Sequence, residues 1–280
     1  MSKFDVEYKK LVGTILSVGN MVEGDVRTKY ADGTPAYYKS VIGYQFRLDN
    51  SDDEAHIITT RYAPYKSALR EIFWIWKMRS NKLEDLRKLG CKFWDEWELD
   101  DGTIGPAYGE ALKSKTFKFD NQVDYIINEI KNNPNSRRII SEIWIPSDLD
   151  KMALTPCVHL TQWSVVNGKL YLEVRQRSCD VALGLVSNVF QYSVLHKLIA
   201  KECNLEPADL IWTIHNAHIY DRHIKDLTEQ ICYRPTYEKF VLDMSKVKSF
   251  SEWNNPDDIT IPDYAKTITN KVNYEVAIWN

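Results

Sequence analysis

The sequence predicts an α+β protein built around one large sheet, and three observations carry that expectation. The dipeptide Asn167-Gly168 separates two segments rich in β-forming residues, the strongest short-range signal for a β-hairpin. Two other stretches carry apolar residues at three- and four-residue steps, as the buried face of a helix does. Strand-like and helix-like segments then follow one another without the regular alternation of a βαβ chain.

In chain order, the start MSKFDVEYKK is charged, and no apolar run approaches the roughly 20 residues that span a bilayer. A cytoplasmic location and no membrane partner are expected. Residues 66–79, KSALREIFWIWKMR, set Leu69, Ile72, Phe73 and Trp76 on one face; a buried helix is predicted, with Glu71 beside its apolar stripe. RRIISEIWIP at 137–146 reads as a strand ended by Pro146. After the Asn167-Gly168 turn, Leu170, Leu172 and Val174 alternate with Tyr171, Glu173 and Arg175, so one face of that strand is expected to be buried. SNVFQYSVLHKLIAKE predicts a long, mostly buried helix, and LIWTIHNAHIY at 210–220 returns to strand. With 280 residues, 44% of them apolar, and no repeat or linker to divide it, the chain is read as a single domain over 1–280.

A formal charge of -3 and a pI near 6.1 argue against a broad basic footprint, so no nucleic-acid partner is expected and any anion site must be compact. The five cysteines are odd in number and scattered, which favours reduced thiols.

Several constellations have two readings each. Arg137 and Arg138 follow the turn-like NNPNS; paired guanidiniums there suit bidentate capture of phosphate, or form a solvated basic pair. RQRSCD ends a strand with Arg175, Arg177, Ser178 and Asp180, half of an anion cradle or an exposed edge. Cys157, in LTPCVHLTQW, is inert packing or a nucleophile. His159 shares its face if the segment is extended, and nearby arginines would raise the thiolate fraction. Trp94 and Trp97 in FWDEW are core anchors or a platform for a flat heterocycle. His215, His218 and His223 with Cys203 and Cys232 match no usual zinc spacing, so no metal is expected.

Read in order, SRR, ALTPC, RQRSCD, SNVFQY and AHIYDRHI, with DVRTKYADGTP, IFWIW, FWDEW, DGTIGPAYG and the terminal EVAI, resemble the motif succession of the thymidylate synthase family over nearly the whole chain. The resemblance implies a thymidylate synthase-like fold, its large mixed sheet packed against the partner subunit's sheet in a homodimer, with helices on the other face. It implies a pyrimidine nucleotide substrate and 5,10-methylenetetrahydrofolate as co-substrate. By motif match Cys157 resembles the nucleophile that adds to pyrimidine C6, and Glu71 and Tyr108 resemble the residues that organise proton transfer through ordered water. Arg27, Arg177 and Ser178 resemble phosphate ligands, with Arg137 and Arg138 reaching the partner's active site. Asn188 matches the reader of the pyrimidine edge, Gln176 a positioning residue, and His218 and Tyr220 the pair that holds the ribose 3′-hydroxyl. Trp94, Trp97, Asp180 and Gly184 match the folate surface, joined by Arg61 where the family carries lysine. An asparagine complements uracil, whereas cytosine presents the reverse pattern, so dUMP is the expected substrate.

Some positions depart from the family pattern. Val186-Ser187 replace the usual Pro-Phe, His215-Asn216 replace Gly-Asp, Val158 follows the nucleophile, and Trp279-Asn280 extend the tail beyond EVAI. A more polar wall and a disturbed lid admit water to the C5 methylene intermediate, which then leaves as hydroxymethyl instead of being reduced. These departures incline the reading to dUMP hydroxymethylation. The alternative is reductive methylation to dTMP, followed by dCMP or CMP hydroxymethylation and by a noncatalytic nucleotide- or RNA-binding homologue.

Overall fold

The computed structural model describes residues 1–279. Helix α1 (Lys3–Val18) starts at Ser2, whose hydroxyl accepts the Asp5 N–H, satisfying one of the first-turn donors. Strands β1 (Asn20–Val22), β2 (Thr28–Lys29) and β3 (Tyr38–Asp49) follow, then α2 (Tyr65–Ile72), α3 (Leu83–Lys88) and α4 (Gln122–Asn132). The second half runs β4 (Ile140–Glu142), β5 (Val158–Val166), β6 (Lys169–Asp180), α5 (Gly184–Glu202), β7 (Glu206–Tyr220), α6 (Ile224–Tyr233) and β8 (Ile278–Trp279).

Six strands form one sheet in the order β1-β3-β7-β6-β5-β4. All neighbours are antiparallel except β6 and β7, whose parallel pairing requires the crossover that α5 supplies. The sheet is therefore mixed, as the α+β expectation has it. The β5–β6 hairpin closes at Val166 and Lys169, and Asn167 and Gly168 take φ of 52° and 74°, the left-handed pair that a two-residue type I′ turn requires. Helix α5 is buried on every side, with Val189, Phe190, Val194, Leu195 and Leu198 at most 1% exposed and Gln191, Ser193, His196 and Lys197 buried among them, so it is the central helix of the core rather than a surface one. One large cluster of buried residues runs from Phe4 to Tyr274, and a small second one joins Tyr30, Ala36 and Tyr220.

Two elements differ from the sequence-based expectation. The helix predicted over 66–79 is α-helical only to Ile72 and continues as a π-helical turn over Phe73–Lys77. That wider turn carries four consecutive bulky side chains, and Phe73, Trp74, Ile75 and Trp76 are all buried. The strand predicted over 137–146 shrinks to Ile140–Glu142, the stretch that pairs with Leu160–Gln162 of β5.

Helices cover one face of the sheet. On the other, Tyr171, Glu173 and Arg175 of β6 and Ile211, Thr213 and His215 of β7 stay half-buried or exposed, and Ile42 of β3 is 62% exposed. No helix of the described residues is long and apolar enough to cross a membrane.

Candidate active site

Two adjoining chambers open where β6 and β7 end and α5 begins. One, of about 570 Å³, holds Cys157 together with Glu71, Tyr108 and Asn188. The other, of about 470 Å³, is lined by Arg27, Arg177, Asn216, His218 and Tyr220. Ser178 borders both. This placement follows from period two along the strands: Gln176, Ser178 and Asp180 share one face of β6, and Asn216, His218 and Tyr220 share one face of β7.

Arg177 laces the turn that carries Cys157. Its Nε donates to Pro156 O at 2.9 Å, its Nη2 to Thr155 O and Oγ1 at 2.9 Å each, and its backbone N–H to Cys157 O at 2.9 Å. Nη2 lies 3.9 Å from the Cys157 Sγ. Burial pushes the thiol pKa up, Arg177 pulls it down, and Asp180 pushes it further up; the net direction is upward. The expected arginine effect is therefore present but outweighed by desolvation.

Glu71 is 8% exposed. Its Oε1 accepts from Trp94 Nε1 at 2.7 Å and its Oε2 from Gln191 Nε2 at 2.5 Å. Burial raises its pKa, and the two hydrogen bonds offset this only in part. Tyr108 sits at φ 47°, on a loop drawn tight at Gly109, where a Cβ would fall 2.4 Å from Ser80 O. Its phenol is pushed well above the usual range by burial, with Cys157 and Glu71 adding to the rise.

A chain of amides ties the carboxylate to the sheet. Trp212 Nε1 donates to Gln176 Oε1 at 3.1 Å, Gln176 Nε2 to Asn188 Oδ1 at 3.2 Å, and Asn188 Nδ2 to Gln191 Oε1 at 3.1 Å. Gln191 Nε2 then donates to Glu71 Oε2 and, at 3.1 Å, to Ala68 O. An indole can only donate, and a main-chain carbonyl can only accept. Each amide between them has one permitted orientation, so the face of Asn188 is fixed, with a second N–H and a second oxygen lone pair to spare.

In the other chamber, Asn216 Oδ1 stands 3.1 Å from His218 Nδ1. An accepting amide oxygen places the proton on Nδ1, and burial lowers the His218 pKa; the neutral ring then offers Nε2 as an acceptor. The departure at Asn216 thus keeps a hydrogen bond to the histidine while dropping the charge.

Toward the outer end of the larger chamber, the Trp94 and Trp97 rings meet edge to face at 5.3 Å. Asp180 Oδ1 accepts the Ala182 N–H at 2.9 Å. Arg61 donates through Nη2 to Ala182 O and stacks 5.1 Å from the Tyr274 ring centroid. Gly184 begins α5, where a Cβ would fall 3.7 Å from Asn188 Oδ1.

Among the predicted site residues, Arg137 and Arg138 alone lie away from the chambers, in a separate cavity of about 520 Å³ with Phe117, Phe119 and Tyr125. His159 stands apart from the Cys157 chemistry as well, with Nδ1 3.4 Å from Glu142 Oε1. Gln191 and Trp212 escaped the sequence reading. Gln191 had a usable signal, since it lies three residues after Asn188 on a predicted helix and so on the same face; Trp212 had none. Among the described residues no three His, Cys, Asp or Glu side chains gather as a metal would require.

The mixed sheet with a central crossover helix, and a cleft bearing a cysteine, a buried carboxyl group and an oriented amide, are the parts of an α+β enzyme that works by nucleophilic and acid–base catalysis. Residues 6–278 match the thymidylate synthase family model. The chain is 62% identical over 277 residues to the thymidylate synthase of Fusobacterium nucleatum, covering 99% of both. It is 43% identical to thymidylate synthase 1 of Bacillus subtilis over 99% of this chain and 100% of that one. A thymidylate synthase of Bacillus phage phi3T is 44% identical over the same shares. The solved structure of thermostable thymidylate synthase A from Bacillus subtilis superposes with a TM-score of 0.90 at 44% identity, over 98% of this chain and 99% of that one. The chain belongs to the thymidylate synthase family, and it is a one-carbon transferase of that family.

Proposed function

We propose that this protein makes dTMP, transferring the one-carbon unit of 5,10-methylenetetrahydrofolate to C5 of dUMP and reducing it with hydride from the same folate. The observation that carries the reading is the oriented amide of Asn188, in the chamber that also holds Cys157. Its spare N–H complements O4 of uracil and its spare lone pair complements N3–H; cytosine offers the reverse.

The Cys157 Sγ adds to C6, and the charge that develops on O4 meets the Asn188 N–H. C5 then becomes nucleophilic enough to take the one-carbon unit. Glu71 moves protons at the O4 side through water, and Tyr108 serves the departing C5 proton. Release breaks the Sγ–C6 bond. Arg27, Arg177 and Ser178 hold the phosphate, and His218 with Tyr220 holds the ribose hydroxyl, while Gln176 braces Asn188. The folate surface is a slab of Trp94 and Trp97 edged by Asp180, with Arg61 and Gly184 at its margin. An apolar slot with a carboxylate suits a flat fused ring carrying N–H donors. When bound, the folate supplies the methylene and the hydride.

The relatives' names support methylation over the hydroxymethylation to which the sequence departures inclined. Packing lends some support: Val186 is 2% exposed, an apolar neighbour to Ser187 on the cleft wall, and Val276 of the tail lines the same cleft. The added tail residue Trp279 pairs its backbone with Thr28 in β8, so the extension continues a strand instead of lifting the lid; Asn280 lies outside the described residues. A dry site protects the methylene from water.

In this role the chain acts as one domain over 1–280, in the cytoplasm, as a homodimer. Arg137 and Arg138 serve the phosphate site of a second copy, which accounts for their distance from the cleft of their own chain. The half-exposed outer face of the sheet offers the surface on which the copies pack.

The test is turnover with 5,10-methylenetetrahydrofolate and each of dUMP, dCMP and CMP, followed by product mass. dUMP is expected to be consumed; preference for either cytidine nucleotide overturns the base assignment. Asn188→Asp puts an oxygen against Gln191 Oε1 and, once protonated, reads cytosine. Its kcat/KM for dUMP is expected to fall about 100-fold or more while dCMP gains relative to dUMP.

A further inference from the structure

We propose that Arg222 is a positioning residue that locks the C-terminal tail and the loop after Arg27 into one closed unit over the cleft. Its two terminal nitrogens reach two segments that are far apart in sequence. Nη1 donates to Glu275 Oε1 at 2.9 Å and Oε2 at 2.7 Å. Nη2 donates to Asp32 Oδ2 and to Thr34 Oγ1 at 2.7 Å each. The guanidinium carbon also lies 3.9 Å from the Tyr30 ring centroid, and the Tyr30 hydroxyl donates to Asp221. A planar group that gives one terminal nitrogen to each segment while stacking on a ring is a geometry that the single ammonium of lysine cannot reproduce.

Each end of this lock touches the site. Arg222 follows Tyr220, which lines the phosphate and ribose chamber, by two residues. The Asp32–Thr34 turn belongs to the loop that begins at Arg27 and Thr28, in the same chamber, and Ala36 closes its base by donating to Thr28 O at 3.0 Å. Glu275 immediately precedes Val276, which lines the Cys157 chamber. The tail is pinned on both sides of that point. Glu275 O accepts from His223 Nε2 at 2.8 Å, and the Tyr274 hydroxyl donates to Gln230 Oε1 at 3.0 Å. Beyond it, Ile278 and Trp279 pair with Lys29 and Thr28.

Backbone pairing alone is a two-residue ladder, too short to hold a chain end. Arg222 supplies the side-chain bond that joins the tail to the phosphate-side loop. Its Glu275 leg keeps Val276 over the cleft and so serves folate binding and the exclusion of water. Its Asp32 leg holds the loop of Arg27 and so serves the nucleotide.

The functional half of this inference rests on the dTMP reading above; the lock itself does not, and the experiment separates them. Hydrogen exchange of the C-terminal peptide and of the 28–36 segment is measured on the free protein, with no turnover required. Arg222→Ala is expected to speed exchange in both segments, and Glu275→Ala in the tail. In steady state, Glu275→Ala is expected to raise the folate KM about fivefold to tenfold with the dUMP KM within about twofold, whereas Arg222→Ala raises both. The double variant Arg222→Ala/Glu275→Ala should be no worse toward folate than Arg222→Ala, because both changes cut one bond. Unchanged exchange, or independent additive effects of the two substitutions, overturns the lock. Faster exchange in a protein whose wild type makes no dTMP leaves the lock standing and removes the dTMP reading instead.

Discussion

Replacing Cys157 by serine is expected to abolish turnover, lowering kcat by about four orders of magnitude or more, with dUMP still bound and the melting temperature little changed. Serine is nearly isosteric, and the Arg177 bonds to Thr155 and Pro156 that shape the turn do not involve the sulfur. What is lost is a nucleophile whose anion is accessible near neutral pH. Even the thiol is held above its usual pKa by burial, and an alcohol lies many units higher. Single-turnover assays beside equilibrium binding of dUMP separate the two effects. Retained turnover in the serine variant removes the covalent step from the account.

The second large effect concerns Glu71. Glu71→Gln is expected to lower kcat by about 10²- to 10³-fold, the range of a positioned acid–base group. It also sets an amide N–H against either Trp94 Nε1 or Gln191 Nε2, both of which donate to the carboxylate in the wild type. Stability provides an independent readout. The folded-state pKa of Glu71 is raised from 4.5, so between that value and the raised one the folded state holds a proton that the unfolded chain has released. Stability then falls as pH rises through this window, by about 1.4 kcal/mol for each unit of the shift. The glutamine variant lacks this slope. Thermal melts between about pH 5 and about pH 8 should therefore show the variant gaining on the wild type as pH increases; parallel curves would refute the buried, proton-retaining carboxyl.

Both substitutions act on residues that single-segment reading handles poorly. Cys157 looks like packing when LTPCVHLTQW is taken alone, and His159 looks like its base. The irregularity at Val158/Leu160 parts them, and the groups that complete the site come from α2, β6 and α5, each far away in sequence. The hairpin at Asn167-Gly168 and the helix read over 187–202 were legible because their signals are local: φ above zero in one case, apolar periodicity in the other. The π-helical turn after Ile72 was not, because it is set by where four aromatic and aliphatic side chains find room. Trp212 illustrates the same limit, since a buried tryptophan on a strand reads as core, and its indole N–H gains meaning only when Gln176 is found beside it. The motif order revealed the family and the cleft's membership, but the tail required the fold. Residues added after EVAI suggested a disturbed lid; in the structure the first of them, Trp279, extends β8 along β2.

Because the two fates of the C5 methylene differ in whether the folate is oxidised, one measurement reaches the centre of the account. Wild-type protein is supplied with dUMP and 5,10-methylenetetrahydrofolate, and dihydrofolate formation is followed against nucleotide product identified by mass. The account predicts methylated nucleotide and dihydrofolate appearing one for one. A hydroxymethyl nucleotide formed without dihydrofolate would contradict it.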